Sequence, residues 1–260
     1  MYRTLLELGP FKIQAYGLML SAAFLLGGIM LLRSARKKAL DEGAVLNLIY
    51  IIVFTSVLGS RLMYVITHLE DYRGDPASAL KVWEGGLTLY GGLILAIVSS
   101  VVYMRAVRLP VWTVCDLAAP AIALGKAVTR VGCFMNGCCF GARTDLPWGV
   151  VFPPDSHAGA VLPGARLHPA QLYSSGLSFV IFVILLRLGK GKHPPGTVFW
   201  SFMLMDSIAR ALLGFARYSE PGARLFALGG HVINSNQLIG ALLAVLSAVV
   251  LARMRSARRG

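Results

Sequence analysis

The fold class this sequence predicts is an all-α polytopic membrane protein with about seven transmembrane helices. Three observations predict it. Apolar residues make up 56% of the chain and charged residues 14%, with a mean hydropathy of +0.67, so polar surface is too scarce to cover a water-soluble globule of this size. The apolar residues fall into seven separate runs, each near the ~20 residues a helix needs to cross a ~30 Å hydrocarbon core. The basic residues collect after alternate runs, as they do where loops remain in the cytoplasm.

The runs cover about 15–32, 45–66, 87–104, 111–131, 172–188, 197–215 and 236–252. The first follows a polar start with Arg3, Glu7 and Lys12 and leads into a charged loop without a small-residue cleavage site, so it reads as a retained helix and not a signal peptide. Arg33, Arg36, Lys37 and Lys38 follow the first run, Arg105 and Arg108 the third, Arg187, Lys190 and Lys192 the fifth, and Arg253, Arg255, Arg258 and Arg259 the seventh. Loops after even-numbered runs are mixed in sign, with Glu70, Asp71, Arg73 and Asp75 in one and Arg217, Glu220 and Arg224 in another. The alternation predicts an N-terminus outside, a C-terminus in the cytoplasm and an odd number of spans. It also accounts for the net charge of +13 without nucleic acid, for which a basic, aromatic-studded soluble domain would be needed.

No linker, low-complexity segment or convincing internal repeat interrupts the chain, which reads as a single integral membrane domain over 1–260. The longest break between runs, about 132–170, is rich in Gly, Pro and Asp and falls on the outward side. Ordered loops of that length are usually functional, and this one is expected to be an ordered periplasmic region after the fourth helix.

Ionisable residues inside runs are costly, roughly 2.5–3.5 kcal/mol for an arginine at the bilayer centre, and therefore mark partners, cavities or function. Arg61 and His68 lie toward the outward end of the second run, Asp116, Lys126 and Arg130 in the fourth, and Asp206 and Arg210 in the sixth. Asp206 and Arg210 are four apart and can pair with each other on one helical face. Arg61, Arg130 and Arg210, all on even runs, come to similar depth near the outer surface and offer planar forks suited to phosphate. Such a phosphate belongs to a phospholipid headgroup. Tyr16 and Tyr90, at the outward starts of the first and third runs, read either as interfacial aromatics or as site residues.

These residues lie in segments that resemble the bacterial prolipoprotein diacylglyceryl transferase family. VWEGGLTLYGGL at Val82–Leu93 resembles that family's VWDGGMSFHGGL, and GKAVTRVGCFMNGCCFG at Gly125–Gly141 resembles its GRxGNFxNGExxG signature, with Arg130, Gly132, Phe134, Asn136, Gly137 and Gly141 in register. AYGLML (Ala15–Leu20), SRLMYV (Ser60–Val65), HPAQLY (His168–Tyr173) and RALLGFAR (Arg210–Arg217, against RxxxEFxR) follow the family's order. The resemblance implies transfer of the diacylglyceryl group of phosphatidylglycerol, or a related phospholipid, to the thiol of a lipobox cysteine in a preprolipoprotein, with release of glycerol phosphate. The site would lie on the periplasmic side of the cytoplasmic membrane, and neither cofactor nor metal is expected. Arg130 and Arg210 take catalytic roles on the phosphate, with Tyr90 and Cys138 as further catalytic candidates. Tyr16, Arg61, Cys133, Asn136, Gly141 and Asp206 are the candidates for substrate binding.

Five positions depart from the family pattern. Tyr90 stands for a histidine, Cys133 for an asparagine, Cys138 for a glutamate, Asp206 for a tyrosine and Gly214 for a glutamate, which marks a divergent member or paralogue. Cys133, Cys138 and Cys139 admit a structural disulfide, buried reduced thiols, a reactive thiol near Arg130, or a metal site with His157 or His168 as fourth ligand, although CxxxxCC is not a standard zinc spacing. Cys115 reads as a small packing residue. The cysteines sustain one alternative, a membrane thiol or redox protein on the same scaffold. A transporter is disfavoured because paired broken helices and an inverted repeat are missing.

Overall fold

The computed structural model describes residues 4–8, 11–72, 74–81, 85–218, 224–228 and 231–256. Val82, Trp83 and Glu84 of the third-run motif, and Arg3, Arg73, Glu220, Arg258 and Arg259, lie outside the described residues. Among the described residues, seven helices are long and apolar enough to cross a membrane: α1 (Ala15–Lys37), α2 (Glu42–Thr67), α3 (Leu89–Ala106), α4 (Val111–Asn136), α6 (Ala170–Leu188), α7 (Thr197–Ala216) and α8 (Ser235–Ser256). A short helix α5 (His157–Val161) lies in the long loop. Each predicted run corresponds to one helix, and the largest extensions are at the polar ends. Arg36 and Lys37 prolong α1, and Met135 and Asn136 prolong α4. On α1 hydropathy ends where charge begins, and on α4 the added residues 132–136 are uncharged; in both, the backbone ladder continues past the predicted run. Leu25, Phe54, Val102, Leu212 and Leu242 are each more than half exposed, an arrangement that suits a hydrocarbon solvent.

Two compact units make up the chain, one from Met1–Met30 with Cys115–Gly260 and the other from Leu31–Val114. The smaller is an α2–α3 hairpin. Asp41 starts α2 by accepting from Gly43 N (2.8 Å) and Ala44 N (3.2 Å), the usual satisfaction of orphan first-turn amides. Gly59 lies against the Gly91 backbone, and Gly92 against Ser56 and Ser60, with no room at any of the three for a Cβ. That close approach of small residues is how membrane helices gain packing when no hydrophobic drive distinguishes them from lipid. Thr55 and Ser99 add a hydroxyl contact across the pair at 3.0 Å.

In the larger unit the apolar core joins Ala119 and Ala123 of α4, Ile181 and Leu185 of α6, and Val198, Phe202 and Ala209 of α7. Asp116 of α4 has a structural partner: its carboxylate accepts from Gly196 N (2.7 Å) and Phe199 N (2.8 Å) and so caps α7 from a neighbouring helix. The loop 137–169 folds on its own small core of Phe140, Phe152, Ala158 and Leu167, where strand β3 (Val150–Val151) pairs antiparallel with β4 (Arg166–Leu167).

One expectation is corrected. The absence of an internal repeat does not hold, because a β-hairpin followed directly by a membrane helix occurs twice, as β1 (Thr4–Leu8), β2 (Phe11–Gln14) and α1, and as β5 (Arg224–Leu228), β6 (His231–Asn234) and α8. Thr4 pairs with Gln14 and Leu8 with Phe11, while 220 positions later Arg224 pairs with Asn234 and Leu228 with His231, with a register shift at the same place. The repeat lives in backbone pairing and register. In the sequence Leu5, Leu8, Gly9 and Ile13 do recur as Leu225, Leu228, Gly229 and Ile233, a pattern too short to stand out beside long apolar runs.

Candidate functional site

The signature segment is built by the way α4 stops. Gly137, at φ +70, donates to Phe134 O (3.1 Å) while Cys138 N donates to Cys133 O (3.1 Å). These two bonds form a Schellman cap, in which the third residue from the helix end and the second residue beyond it are brought together. Here those residues are Cys133 and Cys138, so the CxxxxC spacing is the spacing of the cap. Only glycine suits position 137, since the left-handed backbone is combined with a Ser156 Cβ 2.6 Å from where a side chain would begin. Cys139 follows at φ +55, and the Sγ atoms of Cys133, Cys138 and Cys139 all lie within 4.8 Å of one another. All four cysteines of the chain are free. Neither histidine joins the three sulfurs: His157 packs its ring against Phe140, and His168 faces the Tyr173 hydroxyl at 3.4 Å.

The HPAQLY segment braces this loop. Gln171, 1% exposed, donates from Nε2 to Cys138 O at 2.8 Å, and its Oε1 is the buried side-chain polar atom left without a partner among the described residues. Gly141 donates to His168 O (3.1 Å), Ala142 to Ala216 O (3.0 Å) and Tyr218 to Phe140 O (3.2 Å), which sews the signature's end to the HPAQLY segment and to the end of α7. Gly141 itself is wedged against the backbones of His168 and Ala216. The same seam sets Arg217 beside the cysteines, and the Cys139 thiol is held below its ordinary range, first by hydrogen bonds from Cys133 and Cys138 and then by the charges of Arg217 and Arg130. The Cys138 thiol itself donates to Cys133 O at 3.7 Å.

Tyr16 is brought to this cluster because Gly132 lets α1 approach α4, leaving 3.4 Å between a Cβ at 132 and Tyr16 Cα. Tyr16 lies within electrostatic reach of Arg130 and of Cys133, Cys138 and Cys139. Arg130 is half-buried, and among the described residues its guanidinium has no hydrogen-bond or ion-pair partner. One turn back on the same face, Lys126 forms a direct ion pair with Asp206 of α7, whose other oxygen lies 3.9 Å from Arg210. The expected Asp206–Arg210 couple is therefore the weaker part of a larger group. Lys126 and Arg210 share this carboxylate, and Arg130 and Arg210 both lie within electrostatic reach of Lys126. Arg130 and Arg210 each stand six residues before the ends of α4 and α7, about 9 Å along the axis, while Lys126 and Asp206 each stand ten residues before.

Arg61 and Tyr90 belong to the smaller unit. Arg61 is 7% exposed and donates to Ala79 O (2.8 Å), Gly85 O (2.7 Å), Gly86 O (3.2 Å) and Ser78 O (2.7 Å), with the rings of Tyr64 and Tyr72 alongside. Four of its five N–H donors are committed to backbone carbonyls, so it clamps the segment leading into α3 and has little left for a phosphate. Tyr90 is 63% exposed. Residues not singled out from sequence are Lys126 as the partner of Asp206, Arg217 beside the thiols, and Gln171 beneath Cys138. Gly214, where the resemblance expects a glutamate, is covered by the buried Gln237 side chain, whose Cδ is 2.5 Å from a Cβ built there.

The sequence model of the prolipoprotein diacylglyceryl transferase family matches residues 3–253. A phosphatidylglycerol-prolipoprotein diacylglyceryl transferase from Geobacter sulfurreducens is 33% identical over 256 residues, covering 96% of this chain and 95% of that protein. Proteins of the same name from Parasynechococcus marenigrum and Clostridium tetani are 32% and 30% identical, over 94% and 84% of this chain and 91% and 86% of their own lengths. The match runs through every helix described above, and the chain belongs to the prolipoprotein diacylglyceryl transferase family.

Proposed function

We propose that this protein is a transferase that moves the diacylglyceryl group of phosphatidylglycerol onto the thiol of a lipobox cysteine in a preprolipoprotein, working at the outer leaflet of the bacterial cytoplasmic membrane. The observation that carries the reading is the excess of positive charge inside spanning helices, where Lys126, Arg130 and Arg210 are met by the single carboxylate of Asp206, which Lys126 already engages. Charge at that depth calls for an anion, and a phosphodiester headgroup reaches it with its acyl chains still in lipid. Arg130, with its fork unoccupied, and Arg210 hold the phosphate, and Tyr16 lies against the same headgroup.

In the reaction the acceptor sulfur forms a C–S bond to the glyceryl carbon as the C–O bond to phosphate breaks. The bonding electrons leave with glycerol phosphate. A phosphate monoester, whose second pKa is about 6, can accept the proton the thiol gives up. The two guanidiniums face charge that grows on the leaving oxygens, and preorganised donors aimed at developing charge supply the largest catalytic term in many enzymes. Cys138 is not required for this step, since the acceptor brings its own thiol.

The test is replacement of function. Expressed in a bacterium depleted of its own enzyme of this family, the protein restores lipidation of a reporter lipoprotein, while an Arg130→Ala copy present at equal level does not. Equal, unrestored levels of unlipidated reporter with both copies would overturn the reading.

A further inference from the structure

We infer that Cys133, Cys138 and Cys139 form a binding site for a thiophilic d10 metal ion, Cu(I) or Zn(II), held by three sulfurs at the end of α4. Three Sγ atoms within 4.8 Å of one another are close to what such an ion demands, since metal–sulfur bonds of ~2.3 Å set the sulfurs about 4 Å apart. Shifts below about 1 Å close the site. The ligands are prearranged by backbone, not by flexible side chains: the Schellman cap joins Cys133 to Cys138, and the left-handed turn at residue 139 delivers the third sulfur. A disulfide would consume two sulfurs and leave the third beside it, whereas a metal uses all three. Adjacent Cys138 and Cys139 are also poorly disposed to bridge each other.

The surroundings suit a thiolate complex. Cys133 is 5% exposed and the other two are half-buried, which shields the ion from water while leaving one side open for a further ligand. Binding releases the thiol protons, and three thiolates around a dication leave one net negative charge, which faces the guanidiniums of Arg130 and Arg217. Gln171 steadies the ligands from behind through the Cys138 carbonyl, the outer support that metal sites use to fix their ligands. Soft sulfur ligands select these ions over Mg(II) or Ca(II). None of this depends on the transfer reaction.

The experiment uses the full chain, purified in detergent under reducing, anaerobic conditions and then freed of reductant. Cd(II) is added as an optical probe for its thiolate charge-transfer absorption, and Cu(I) and Zn(II) are added in competition with a chromophoric chelator. The expected result is one equivalent bound, with alkylation of Cys133, Cys138 and Cys139 slowed together while Cys115 in the same sample is unchanged. Cys133→Ser, Cys138→Ser and Cys139→Ser each weaken binding by at least about tenfold, and Cys115→Ser does not. Because protection is read on the unmutated protein, a variant that fails to fold does not blur the answer. Absence of both the absorption band and the protection, or binding that persists in the triple serine variant, would overturn the site, as would a Cys133–Cys138 or Cys133–Cys139 bridge that survives mild reduction.

Discussion

At Arg130 a half-buried guanidinium inside a membrane helix has no partner among the described residues, and it is the residue whose loss should be most specific. Arg130→Ala is expected to lower turnover about 10²- to 10³-fold, the usual cost of one preorganised contact to developing charge, with membrane insertion and thermal unfolding unchanged. Arg130→Lys should recover part of this, because a point charge lacks the bidentate fork. Steady-state rates on detergent-solubilised protein check both. Lys126 and Asp206 behave differently, since they hold each other. Asp206→Ala leaves a cation in a spanning helix, and breaking a buried pair typically costs about 3–5 kcal/mol. With side chains 21% and 16% exposed, a loss of roughly 2–4 kcal/mol is expected here, and a Lys126→Met/Asp206→Met double variant should regain most of it in thermal melts. Sequence exposed Asp206, Arg210 and Arg130 as ionisable residues where lipid makes them costly. It did not expose the Lys126–Asp206 contact, because pairing between α4 and α7 spans 80 positions and depends on how the helices rotate against each other. Arg61 shows the same limit: its charge was legible, and the four carbonyls that consume it were not.

Helix ends and helix crossings decide where these side chains go, and glycine decides both. Gly137→Ala forces a Cβ into a left-handed position against Ser156, so a loss of at least about 2 kcal/mol is expected, with cluster cysteines that become faster to alkylate. At the α2–α3 crossing, Gly91→Ala drives a methyl into the Gly59 backbone and should lower the melting temperature, whereas Gly176 of α6 has nothing within 4 Å of a Cβ. Gly176→Ala should therefore be neutral or gain up to about 0.5–1 kcal/mol from helix propensity. Equal melting temperatures for these two variants would refute the packing described for α2 and α3. The helices themselves were legible because an apolar run of about 20 residues matches the thickness of the hydrocarbon core and exceeds what a buried helix of a soluble domain needs. The two hairpins were not, since strands of four and five residues carry too short a pattern to stand out beside long apolar runs. The end of α4 was not legible either, since the apolar run stops at about 131, and the cap that turns CxxxxC into neighbouring sulfurs is a property of backbone hydrogen bonds.

For the molecule as a whole, the alternation of basic loops predicts that α1 enters from the outside and α8 ends in the cytoplasm. A single cysteine introduced at Ala39 should resist a membrane-impermeant thiol reagent in intact cells, while one at Asp145, in the loop after α4, should react; the reverse pattern would invert the orientation. That orientation puts the ends of α4 and α7, with Arg130 and Arg210 six residues inside them, at the outer leaflet where a secreted acceptor arrives. The decisive measurement is reconstitution. Purified protein is incubated with phosphatidylglycerol labelled in both the diacylglyceryl and the headgroup glycerol portions, together with a lipobox peptide containing one cysteine. The expected result is a peptide heavier by one diacylglyceryl group on sulfur and one equivalent of labelled glycerol phosphate released, both abolished by Arg130→Ala. Unmodified peptide and intact lipid, from wild-type protein that is folded and monodisperse, would contradict the assignment.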